Sequence, residues 1–193
     1  MLGALAALLL AAAPAPPPSS SACALTHLGD CSDTNRLVWA PGFRAAVTRF
    51  FDGAQGDHLY PGGDMADQAM EALGGPPDPS KRLATGSWLF TACRAHSCPE
   101  KGAAVLTPQG RILAIGLLNF RCHKAAAGGT DCDKASHLDI YVRPGELDAA
   151  RLIEPLDAWA REKAVADRAQ FGAANMAPYA GPKIHEVTPA PRR

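Results

Sequence analysis

With 193 residues, a hydrophobic fraction of 47% and nineteen basic against nineteen acidic side chains, the chain can build one core and carries no net field. Without such a field neither a nucleic-acid backbone nor an anionic membrane surface is drawn in, which argues against nucleic acid as a partner. Aromatic residues, at 6%, are too few and too scattered among the basic ones to form a base-stacking platform.

Met1 to Ala13 is apolar, of signal-peptide length and too short to cross a bilayer as a helix. Pro14 to Ser21 follows as a Pro/Ser spacer. Residues 1–22 are therefore expected to be an export signal with its spacer, and the mature protein to be periplasmic. Lipid attachment at Cys23 ranks second, because the residues before it lack the usual leucine. No other stretch is long and apolar enough to span a membrane, so the mature protein is expected to carry no transmembrane segment.

Cys23 to Pro41 reads as irregular. Pro41 then stands at the first position of a helix whose Phe43, Val47, Phe50 and Phe51 recur at helical spacing until Gly53. Asp57 to Gly63 reads as loop, and Asp64 caps a second helix carrying Met65, Ala69, Met70 and Leu73, stopped by Gly74-Gly75-Pro76-Pro77. From Arg82 the texture changes to strands: Leu83 to Ala92, Ala103 to Thr107, Arg111 to Leu118, and the alternating His137 to Val142. Thr107-Pro108-Gln109-Gly110 is a turn, with Pro fixing φ at its second position. Ala149 to Phe171 is helical again, with Leu152, Leu156, Trp159 and Ala160 on one face and Pro155 imposing a kink or a late start. Gly172 to Arg193, rich in Pro and Ala, is expected to lack fixed structure. The expected fold is α+β over residues 23–171: an antiparallel meander flanked by helices and stapled by disulfides, with 172–193 as a flexible tail.

Six cysteines fall into three sequence-local pairs, Cys23 with Cys31, Cys93 with Cys98 and Cys122 with Cys132. In an oxidising compartment local pairing is the simplest of the connectivities that six cysteines allow. A zinc site built from Cys93, Cys98, Cys122, His123 and Cys132 is the alternative, but its spacings do not match the short knuckles of structural zinc sites. No metal or other cofactor is expected.

The meander puts Cys93 at the end of one strand and Cys98 near the start of the next, so Arg94, Ala95, His96 and Ser97 form a cross-linked tip. So small a ring adds less to stability than a long loop would, which makes rigidity the better reason for it. The run Cys93-x-x-His96-x-Cys98, preceded by Thr91-Ala92 and followed by Ala104-Val105 and the Ile112 to Leu118 strand, resembles the signature of the inhibitor of vertebrate lysozyme (Ivy) family. The resemblance extends through Leu138 to Val142 and, more faintly, back to the Phe43 to Gly53 helix.

The resemblance implies a periplasmic protein whose linked loop enters the active-site cleft of a chicken-type lysozyme or a related peptidoglycan-cleaving glycosidase, with His96 meeting the two catalytic carboxylates and Arg94 near the rim. A homodimer is compatible with it. Where the family loop usually has Lys, Pro and Asp, this chain has Arg94, Ala95 and Ser97. The pair Cys122/Cys132 is also a departure from it.

No catalytic residue is assigned. His96, His123 or His137 with a nearby acid would serve an enzyme, yet no nucleophile stands in a recognisable setting such as G-x-S-x-G. Asp131, Asp133 and Asp139 read as solvated surface. An envelope protein acting on the bacterium's own lytic transglycosylases would share the same loop, and a structural metal-binding envelope protein is the remaining alternative.

Overall fold

The computed structural model describes residues 22–145 and 149–187; residues 1–21 of the expected export signal and spacer, and the last residues of the expected tail, lie outside them. The helices are α1 (Thr34–Val38), α2 (Phe43–Phe51), α3 (Met65–Ala72) and α4 (Ala149–Phe171). The strands are β1 (Gln55–Gly56), β2 (Gly63–Asp64), β3 (Lys81–Arg82), β4 (Trp88–Arg94), β5 (Ser97–Leu106), β6 (Ile112–Asn119), β7 (Cys122–Lys124), β8 (Thr130–Cys132), β9 (His137–Val142) and β10 (Pro182–Glu186). One sheet, in the order β10-β9-β6-β5-β4-β3, organises the molecule, and β1/β2 and β7/β8 are separate two-stranded ribbons. The fold is α+β, as expected, and three disulfides staple it.

The central strands are buried on both faces, which explains why β6 reads as a continuous apolar run. Successive side chains still alternate between two cores. Phe90, Ala104, Leu106, Ile115, Leu117 and Tyr141 join the residues of α2 and α3. Leu89, Ala103, Val105, Leu118, Leu138 and Ile140 join Leu152, Leu156, Trp159 and Ala160 of α4 on the opposite side. Gly102 lets α3 come close, because a Cβ there would stand 2.8 Å from Leu73 Cγ.

Local chemistry sets the element ends. Asp64 caps α3 by accepting from the Asp67 N–H at 3.0 Å. Asp52, at φ 48°, ends α2 with Gly53 following at φ 79°. The β5–β6 turn closes through Gly110 N–H to Thr107 C=O at 2.9 Å.

Four expectations are corrected. The segment from Cys23 to Pro41 is not irregular throughout: α1 forms there, capped by Asp33, which accepts from the Arg36 N–H at 3.0 Å. Pro41 precedes α2 rather than opening it, since Gly42 is the N-cap. Pro155 does not delay α4, which begins at Ala149 and runs through it. The tail is not without structure: Pro182–Glu186 pairs in parallel with β9, Pro182 beside Leu138 and Glu186 beside Val142.

Candidate functional site: two cross-linked hairpins at one end of the sheet

β4 and β6 are both antiparallel to β5, so they run in the same direction and leave the sheet at the same end. At that end β4 turns into β5 through Ala95 and His96, and β6 continues into the β7/β8 ribbon before the chain returns as β9. The register ties the two exits together: Cys93 pairs with Lys101, Lys101 with Leu118, and Leu118 with Leu138.

The first hairpin is joined by the Cys93–Cys98 disulfide, with Cα atoms 4.7 Å apart. The pairing shifts between Cys93 and Arg94, so that Arg94 faces Ser97 and only Ala95 and His96 remain at the tip. His96 adopts φ 64° and is exposed. Histidine tolerates that left-handed region better than bulky or β-branched residues do. Ala95 and Cys98 are exposed, whereas Arg94 and Ser97 are half-buried.

Three contacts brace the stem of this tip. The segment after α3 lies directly against it, with Cys93 N–H donating to Pro76 C=O at 3.1 Å. Gly75 is required there, because a Cβ would stand 2.3 Å from Cys93 O and 2.6 Å from Ala95 N. The Arg94 guanidinium turns back into the protein, donating from Nε to Glu71 of α3 at 2.7 Å and from Nη1 to Glu100 of β5 at 2.7 Å. On the other face of the sheet, Lys101 donates from Nζ to the Cys98 carbonyl and pairs with Asp167 of α4 at 2.9 Å. Lys101 and Asp167 are 6% and 7% exposed, so their attraction is screened far less than that of a surface pair. Arg94, expected near a rim, thus holds the stem.

The second hairpin is closed by Cys122–Cys132, with Cα atoms 4.1 Å apart. Its turn, Ala125 to Gly129, consists of small residues and closes through Gly128 N–H to Ala125 C=O at 3.0 Å. His123 and Asp131 face each other across the ribbon at 3.9 Å, and His137 meets Asp133 at 2.9 Å below it.

Beneath this hairpin lies a polar network that the sequence did not reveal. Asp139, read above as solvated surface, is 1% exposed. Its carboxylate accepts from Arg121 Nη2 at 2.8 Å and Nε at 3.3 Å, and from Asn119 Nδ2 at 3.1 Å. His185 Nε2 of β10 lies 2.6 Å away and His58 Nδ1 3.4 Å away. Asn119 Oδ1 also accepts from the Arg121 N–H at 2.8 Å, which fixes Arg121 at φ 44° at the root of the hairpin. Tyr141, two residues from Asp139 on the same face of β9, bonds His58 through its hydroxyl and stacks on His185 with ring centroids 4.8 Å apart.

Burial alone would favour the neutral acid, but the bonds from His185, His58, Arg121 and Asn119 outweigh it and hold the Asp139 carboxyl well below its ordinary value of 3.8. Burial, with the Asp139 charge adding to it, pushes the Tyr141 phenol up. Neither group is tuned to exchange a proton near neutral pH, although a cleft of about 450 Å³ opens beside His58, Arg121, Tyr141 and His185. The arrangement is suited to fixing Arg121 in place.

All six cysteines are bridged, so the four proposed as zinc ligands offer no thiolate. Among the described residues no group of three or more His, Cys, Asp or Glu is placed to hold a metal ion, and no helix is long and apolar enough to cross a membrane. No protein-family model, curated protein or solved structure matches the chain.

Proposed function

We propose that this chain is a periplasmic inhibitor of lysozyme, blocking the glycosidase cleft with the Cys93–Cys98 hairpin. The observation that supports this reading is an exposed imidazole, His96, on a two-residue tip whose stem is covalently linked and braced by ion pairs on both faces of the sheet. Such a tip loses little conformational freedom on docking, so more of its contact energy remains as affinity.

The target's chemistry suits an imidazole. A retaining glycosidase holds two carboxyl groups roughly 5 Å apart across the scissile bond. A histidine placed between them hydrogen-bonds both, gains from their negative charge when protonated, and excludes sugar and water. Three disulfides are compatible with export to an oxidising compartment.

The test is a cell-wall lysis assay in which the purified, disulfide-intact protein is titrated against a chicken-type lysozyme. Inhibition that saturates with dose is expected from the parent and is weakened about 30-fold in His96→Ala. Undiminished lysis at a large molar excess, or a His96→Ala variant as potent as the parent, contradicts the reading. Running the same titration against an endogenous lytic transglycosylase separates host from self targets.

A further inference from the structure

We infer that the Cys122–Cys132 hairpin is a second prong of the same docking surface, contacting the outer wall of the cleft that the His96 tip enters. This rests on the function proposed above. The topology carries the inference: both hairpins leave the sheet at one end, one between β4 and β5 and the other between β6 and β9. Their roots are therefore separated by two strand spacings, about 10 Å. A partner whose cleft receives the first tip has its adjoining wall beside the second.

The second hairpin is built to be presented rather than packed. From His123 to Lys134 its side chains are exposed throughout, apart from the half-buried Ala125. It contributes to neither hydrophobic core: Cys122, its one buried residue, belongs to neither cluster and is tied into the disulfide. Yet its root is tied into the sheet by Asp139, Asn119 and Arg121, and by Asp133 N–H donating to Phe120 C=O at 2.7 Å. A buried carboxylate with five protein contacts is an expensive way to hold a loop that meets only water.

The two prongs divide the work. His96 is a compact polar ring suited to a deep acidic pocket, the position where interface energy concentrates. The second prong carries an Ala/Gly tip and the balanced charges Lys124, Lys134, Asp131 and Asp133. Small side chains and mixed charge fit the polar rim of an interface, which excludes water and sets orientation. The partner is thus a glycosidase with an acidic cleft and a lip able to sit between the two hairpins.

A bulky residue placed on each end of the sheet tests this. Ala126→Trp enlarges the second tip; Gln109→Trp places the same bulk on the exposed β5–β6 turn at the opposite end. In the lysozyme titration, Ala126→Trp is expected to shift the inhibition constant by about tenfold, with Gln109→Trp matching the parent and both retaining the parent's melting temperature. If the parent inhibits and Ala126→Trp inhibits equally well, the second prong does not touch the partner and the inference falls while the proposed function stands. If both variants weaken inhibition alike, the inference also falls, because the effect is not local. A parent that does not inhibit at all removes the proposed function and this inference with it.

Discussion

The two cross-linked hairpins at one end of the sheet solve one mechanical problem in different ways. Each is linked by a disulfide, across five residues of separation in the first and ten in the second. Loop-closure entropy assigns these cross-links about 2 and about 2.7 kcal/mol, too similar to account for any difference in role. What differs is the brace. The first stem leans on charge pairs reaching outward to α3 and α4, with Arg94 still 25% exposed. The second rests on one carboxylate sealed within the sheet. A charge without solvent must be matched by protein groups, so the second brace, centred on a single anion, is all-or-none where the first is divided among three ion pairs, Arg94–Glu71, Arg94–Glu100 and Lys101–Asp167.

The largest effect should come from that asymmetry. Asp139→Asn removes the anion that takes the bonds of Arg121, Asn119 and His185 together and is expected to destabilise the protein by about 3–5 kcal/mol in urea unfolding. Arg94→Gln, at a half-buried site with Lys101–Asp167 still intact, is expected to cost about 1–2 kcal/mol. Equal losses would show that the second brace is no more critical than the first. Next in size are the disulfides. Cys122→Ser with Cys132→Ser should cost slightly more stability than Cys93→Ser with Cys98→Ser, yet the latter pair should lose more inhibition, by about tenfold. The reverse order for inhibition would assign the working tip to the wrong hairpin.

His96→Ala separates function from folding. It should leave the melting temperature unchanged, since no hydrogen bond among the described residues ties its ring down, while weakening inhibition by about 30-fold, or about 2 kcal/mol. The smallest effect concerns acid. Because the Asp139 carboxyl is depressed in the folded state, its contribution is present above the unfolded value of 3.8 and is lost as pH falls below it. Stability of the parent should therefore decline more steeply than that of Asp139→Asn below about pH 4 in a pH series of thermal melts. Parallel declines would mean that the carboxylate is not held ionised.

Periodicity makes most of the scaffold legible in the sequence. The helix of Phe43, Val47, Phe50 and Phe51, the Asp64 cap and the strand His137–Val142 follow from local pattern, the helices because each buries an apolar stripe and the strand because Leu138, Ile140 and Val142 alternate. The short α1 spans too few residues to display a period, and β10 is an edge strand whose side chains are exposed apart from the half-buried His185, so neither announced itself. The linked tip was legible because its chemistry is contiguous in sequence. Its braces were not: Arg94 meets Glu71 at a separation of 23 residues and Lys101 meets Asp167 at 66. Asp139 was misread for the same reason, its histidine partner on β10 lying 46 residues away. One signal was available, since an acid between Leu138 and Ile140 on a strand buried on both faces must find partners inside the protein.

The central claim is that the His96 hairpin occupies a glycosidase's substrate cleft, and competition with a chitin trisaccharide for lysozyme tests it most directly. Titrating this protein into lysozyme at increasing trisaccharide concentrations, followed by calorimetry, should give an apparent Kd that rises in proportion to the sugar. An apparent Kd that does not change with the sugar would place the contact outside the cleft and contradict the account.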